Sequence, residues 1–145
     1  MVLRIESIQV RLRRLEEVVS ELERLRDERP PEVHLSDRWS IERGLQLGAE
    51  ILLDLGNHLL SAALGVTPES YEDIIRLLAQ HGILSPELHR RLEGLGGFRN
   101  VLVHDYLRLD PARVDAIFEE APDAYRQAAA TIRAWVEEQE RSSQR

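Results

Sequence analysis

The 145-residue sequence has no cysteine, a single methionine, and only two Trp, three Tyr and two Phe. Without cysteine there can be no disulfide scaffold, thiolate nucleophile, iron–sulfur cluster or cysteine-ligated zinc. Lysine is also missing, so all 19 basic side chains are arginines, set against 26 acids for a net charge of −7. A general nucleic-acid coat protein is usually basic. This chain can therefore attract phosphate only where arginines cluster locally. No stretch approaches the ~18 apolar residues of a membrane span. The opening MVLRIESIQVRLRRLEE is amphipathic and lacks the apolar core of a signal peptide, so the expected compartment is the cytoplasm, with no membrane association. Phosphate-cradling GxxxxGK, nucleophile-elbow GxSxG and the Glu-x-x-His pair of di-iron bundles are all absent. Gly94, Gly96 and Gly97 follow no strand-like run, so they are not a dinucleotide fingerprint.

The apolar pattern that is present is helical. Ile5, Ile8, Leu12, Leu15, Val19 and Leu22 recur at spacings of three and four, with charged residues between them. Pro30-Pro31 should end that helix near Arg29. A second stripe runs through Ile41, Leu45, Gly48, Leu52, Leu55 and Leu59, starting from a cap at Ser36 or Asp37 and ending at Gly65. Gly48 in this stripe predicts close helix approach. Thr67-Pro68 and Ser85-Pro86 read as two further helix starts. The second of these should run through Leu88, Leu92 and Leu95 and on through FRNVLVHDYLRL. Asp110-Pro111 should open a last helix, kinked or restarted near Ala121 by Pro122. The expected fold is all-α: an antiparallel bundle of about five helices, one domain over residues 1–145. Its first helix should cover about 3–28, and a polar tail over about 139–145 should be frayed.

Two polar rows interrupt these apolar faces. Glu50, Asp54 and His58 follow one another at i, i+4 and i+8, a set able to hold a metal. A polar rim with His58 paired to Asp54 explains the row better. His34, His81 and His89 stand alone and read as surface histidines. The second row lies in Gly97–Arg108. At about 100° per residue on a continuous helix, Asn100, His104 and Arg108 line one row, with Arg99 and Tyr106 beside it. A guanidinium, an imidazole and a phenol on one face suit chemistry on phosphate. The spacing by itself fits a polar helix rim better.

Arg99-Asn100-x-x-x-His104 resembles the Arg-x4–6-His signature of the HEPN superfamily, and Tyr106 extends it to the Arg-x4-His-x-Tyr form of the HepT-like toxins. Arg38–Leu60 is similar to that family's second helix, and Ser70–Tyr106 to its central block. The resemblance implies a HEPN-like bundle and a metal-independent endoribonuclease toxin of a type VII-like toxin–antitoxin system, with no cofactor and with RNA as substrate. It implies catalysis by Arg99 and His104 at a homodimer interface. Asn100, Tyr106 and Arg108 would support them, with Asn100 orienting His104 or a phosphate oxygen. It also implies a minimal nucleotidyltransferase antitoxin that AMPylates Tyr106. A non-catalytic helical subunit partnering such a nucleotidyltransferase is the other reading these residues allow.

Overall fold

The computed structural model describes residues 3–29 and 32–145, and Pro30-Pro31 lie outside the described residues. Six α-helices follow in chain order: α1 (Ile5–Asp27), α2 (Leu35–Leu64), α3 (Tyr71–Gln80), α4 (Pro86–Leu92), α5 (Leu95–His104) and α6 (Pro111–Ser143). A 3-10 turn at Tyr106–Arg108 precedes α6. The architecture is all-α, as expected, with no strand among the described residues. The three long helices form the frame. Partners on α6 fall in number as those on α1 rise: Glu16 meets Arg133, Glu23 meets Arg126, and Arg26 meets Asp123. These two helices are therefore antiparallel. The Arg4 N–H reaching His58, with Leu22 packed on Gly44, makes α1 antiparallel to α2 as well. The apolar stripes meet in one continuous core, which takes in Leu15, Leu45, Leu53, Leu59 and Phe118.

Gly48 does mark a close approach, because a Cβ there would collide with the Tyr125 ring on α6. Gly65 ends α2 in the left-handed region at φ 65°, the C-terminal signal read from the sequence. Ser85 caps α4, accepting from the Leu88 N–H at 3.1 Å, with Pro86 in the first turn.

Other boundaries differ. α2 starts at Leu35, so its cap lies two or three residues before Ser36 or Asp37. Its N-cap is His34, whose N–H donates to the Asp37 carboxylate at 3.2 Å, so Asp37 closes the cap from inside the helix. α3 starts at Ser70, whose hydroxyl accepts from the Asp73 N–H, and not at Thr67-Pro68. The continuous helix expected beyond Leu88 breaks at Glu93-Gly94, where Glu93 is extended and Gly94 takes φ 85°. This break is why there are six helices and not five. Pro122 causes no restart, and α6 is continuous through it. A proline leaves helical carbonyls one turn back without their usual donor. Arg26 Nη1 approaches the Glu119 carbonyl oxygen at 3.5 Å, and Pro122 itself is buried. The helix also extends through most of the tail expected to fray, reaching Ser143.

Candidate functional site

α5 is positioned by close contact at its N-terminal end. A Cβ on Gly96 would meet the Glu72 backbone nitrogen at 2.6 Å and the Tyr71 carbonyl carbon at 2.7 Å, so this glycine lets α5 press against the start of α3. Phe98 turns into the core and is 6 % exposed. The next residue, Arg99, faces the other way, toward α2 and α3.

Arg99 is held on three sides. Its Nη2 lies 3.4 Å from Glu50 Oε1 on α2, with the arginine side chain only 15 % exposed. Its Nη1 donates to Asn100 Oδ1 at 3.2 Å. The guanidinium carbon sits 4.6 Å from the centre of the Tyr71 ring, a cation–π stack with the first residue of α3. The buried Nε has no hydrogen-bond partner among the described residues.

Asn100 Oδ1 thus faces Arg99, whereas the expected partners of Asn100 were His104 or a phosphate oxygen. His104 is the last residue of α5, and its side chain is exposed. Along α5, Arg99 and His104 are separated by about 140° of helix rotation.

The helix does not continue beyond His104, so the row expected to include Arg108 is not formed. Asp105 leaves helical geometry at φ −131°, and Tyr106–Arg108 form a 3-10 turn. Most helical stability comes from packing an apolar face. At about 100° per residue, the face of Phe98 and Leu102 would pass next to Asp105 and Tyr106, which add little apolar area to it, and Leu107 is 88 % exposed. Arg108 instead lies 3.7 Å from Asp105 on the surface. Tyr106 is 67 % exposed on the same turn and does not lie beside Arg99 on a helix.

The Glu50–Asp54–His58 row is real as a helical face, but its partners are not those expected. No group of three or more metal-ligating side chains occurs among the described residues. Glu50 pairs with Arg99 and also accepts from Gln46 Nε2 at 3.5 Å. His58 Nε2 accepts from the Arg4 backbone N–H at 3.1 Å, in place of a bond to Asp54. Lost hydration, with the charges of Arg4 and Arg11, pushes the His58 imidazole below its ordinary pKa. Lost hydration raises the Asp54 carboxyl, with Glu50 adding to the rise and Arg11 and Arg99 opposing it. His81 is exposed at the end of α3, and His89 is half-buried on α4. The cavity of about 360 Å³ lined by Leu92, Leu95, Phe98, Ile117 and Tyr125 lies on the other side of α5 and includes neither Arg99 nor His104.

Nothing in the spacing of residues along the chain points to Tyr71 as a site residue. Its partner is 28 positions away, and only the packing of α3 on α5 brings them together.

The structure is an all-α bundle with a largely buried arginine and an exposed histidine on one helix, and comparison names the family. The family model described as "Ribonuclease HepT-like" matches residues 8–132, and the chain belongs to that family. The chain is 38 % identical over 74 residues to the tRNA nuclease HepT of Aphanizomenon flos-aquae, covering half of each protein. It is 36 % identical over 72 residues to the mRNA nuclease HepT of Shewanella oneidensis, covering 49 % of this chain and 53 % of that one. The chain thus spans about half the length of the curated relatives it matches.

Among solved structures, the cytosolic protein of unknown function YutE from Bacillus subtilis superposes with a TM-score of 0.82 at 20 % identity, over 96 % of this chain and 95 % of that one. A chain from a toxin–antitoxin MntA–HpeT mutant gives 0.76 at 23 % identity, over 88 % and 98 %. The tri-AMPylated Shewanella oneidensis HEPN toxin in complex with its MNT antitoxin gives 0.63 at 25 % identity, over 90 % and 93 %. These likenesses establish the HEPN fold. No helix among the described residues is long and apolar enough to cross a membrane.

Proposed function

We propose that this protein is an endoribonuclease toxin that cleaves RNA with Arg99 and His104 and needs no metal ion. The observation that carries the reading is the fixed guanidinium of Arg99, held by Asn100, Tyr71 and Glu50, five residues before a solvent-open His104 on the same helix. RNA carries its own nucleophile in the ribose 2′-hydroxyl. His104 takes that proton, or returns one to the leaving 5′-oxygen, a role that typically contributes 10²–10⁴-fold. Arg99 stabilises the added negative charge as the 2′-oxygen bonds to phosphorus. The P–O5′ bond then breaks, leaving a 2′,3′-cyclic phosphate and a 5′-hydroxyl.

One chain supplies one such histidine, whereas the step needs both an acid and a base. A two-fold homodimer would place two His104 and two Arg99 at a shared groove. It would also concentrate arginine on a chain of net charge −7.

Tyr106 is the residue proposed for AMPylation by a nucleotidyltransferase antitoxin. Its exposed hydroxyl would attack the α-phosphorus of ATP. The phenolic oxygen gains the bond to AMP, pyrophosphate leaves, and a base of the partner takes the phenolic proton. The added phosphate would repel RNA from the groove. The AMPylated relative with its antitoxin supports this reading.

The test is incubation of purified protein with total RNA, with and without EDTA, beside Arg99→Ala and His104→Ala. Cleavage in EDTA that both variants lose, with cyclic-phosphate ends, is expected. Strict dependence on Mg²⁺ would overturn the mechanism. Growth arrest that survives His104→Ala would favour the non-catalytic partner of a nucleotidyltransferase.

A further inference from the structure

We infer that Glu50 is a positioning residue for Arg99 and also the charge an RNA phosphate must compete with. The inference rests on the nuclease reading above. Arg99 has two pairing edges in use and one nitrogen, Nε, unpaired. Asn100 holds Nη1 from the same helix, through a neutral oxygen. Glu50 holds Nη2 from a different helix, through a carboxylate that is one-third exposed, and no other carboxylate lies within 4 Å of this guanidinium among the described residues. Tyr71 covers a ring-facing side of the plane.

The three contacts divide the work. The stack on Tyr71 sets the tilt of the guanidinium, while Glu50 and Asn100 fix its rotation within the plane. A planar fork fixed in this way meets a phosphate with less ordering cost than a free side chain would.

The same carboxylate neutralises the cation it orients. A phosphate arriving at Nη2 must either share the guanidinium with Glu50 or displace it, and Asp54 stands one turn further along α2 as a second carboxylate. The pair therefore lowers affinity for RNA while raising the fraction of bound RNA that is correctly placed. Removing the charge and removing the oxygen that faces Nη2 should have different effects. Glu50→Gln keeps an oxygen for Nη2 but discards the charge. Glu50→Ala discards both.

Two measurements on the purified full chain separate them. The first is binding of a single-stranded RNA oligonucleotide with 2′-O-methyl riboses, which cannot be cleaved by 2′-hydroxyl attack. The second is kcat and KM on the unmodified oligonucleotide, with thermal melts to show that each variant is folded. Glu50→Gln should bind the methylated RNA about tenfold tighter than the parent, a change of about 1.4 kcal/mol, with lower KM. Asp54→Asn should tighten binding by clearly less, because it removes a nearby charge without freeing Arg99. Glu50→Ala should also bind tighter but lose about tenfold in kcat, a loss that Glu50→Gln largely restores.

Equal tightening by Glu50→Gln and Asp54→Asn would reduce the effect to net charge and overturn the inference. So would a Glu50→Ala enzyme with the parent kcat. Should the parent bind methylated RNA yet cut nothing, the nuclease reading fails, while the affinity order still decides the screening role of Glu50. Failure of every variant to bind RNA would overturn both.

Discussion

The Tyr125 hydroxyl donates to the Leu45 carbonyl oxygen at 2.9 Å, and the same ring fills the notch that Gly48 leaves on α2. Tyr125 is 1 % exposed, so one α6 side chain provides both the tightest packing and a buried polar tie between two long helices. Placing Ala at 48 gains about 1 kcal/mol of helix propensity but forces overpacking of about 1–3 kcal/mol against the ring. Gly48→Ala should lower the urea midpoint, and Tyr125→Phe should lower it by the ~1 kcal/mol of a lost hydrogen bond. A raised midpoint for Gly48→Ala would show that the ring moves aside freely.

The same burial makes stability sensitive to alkali. Loss of hydration pushes the Tyr125 phenol well above its ordinary pKa. The folded state therefore keeps a proton that the unfolded chain releases. This contribution is intact below about pH 10 and declines as pH rises above it. The melting temperature should fall between pH 10 and 11.5 more steeply for the parent than for Tyr125→Phe. Parallel curves would place the alkaline loss elsewhere.

Just below neutral pH, His58 couples protonation to stability. Its pKa is lowered by lost hydration and by Arg4 and Arg11, and its Nε2 accepts from the Arg4 N–H, a bond that only the neutral ring makes. A lowered imidazole stabilises the fold above its ordinary pKa of about 6.5 and withdraws that support as pH drops through the folded value. His58→Gln, which cannot titrate, should melt with a flatter pH dependence between 7 and 5. A His58 ring titrating by NMR at or above the ordinary value would contradict this.

Gly96 links stability to the site. Its missing Cβ allows contact with backbone atoms of Tyr71 and Glu72, which cannot swing away as a side chain can. Gly96→Ala should cost roughly 1–3 kcal/mol in urea unfolding and should push Tyr71 off Arg99. Any RNA cleavage should then fall further than in Tyr71→Phe, which keeps the stacked ring. A Gly96→Ala protein with parent stability would mean that α3 and α5 separate at no cost.

The ion pairs between α1 and α6 should matter much less. Arg126–Glu23 and Arg133–Glu16 lie at the surface, with arginine side chains 46 % and 40 % exposed. Exposed pairs contribute about 0–1 kcal/mol and weaken in salt. Arg126→Ala should shift the urea midpoint by less than Tyr125→Phe does, and less still in 0.5 M NaCl.

The all-α class, the course of α1 and α2, the Gly65 stop, the Ser85-Pro86 start and the close approach at Gly48 were all legible in the sequence. Each depends on local backbone preference or on a 3–4 apolar period, and both act along one element. Arg99, His104 and Tyr106 were singled out through the resemblance of their spacing to a known pattern, and the roles given to them are proposals. Three things were decided only by packing. α5 stops at His104 and Leu107 stays exposed, so Tyr106 and Arg108 leave the row that a continuous helix would give them. Glu50 and His58 were recognisable as a polar face, but their partners, Arg99 and the Arg4 N–H, come from other helices. Tyr71 carried no signal at all. A side chain's own element fixes which face it occupies. What it meets there depends on contacts between residues far apart in the chain, and no periodicity along one helix records them.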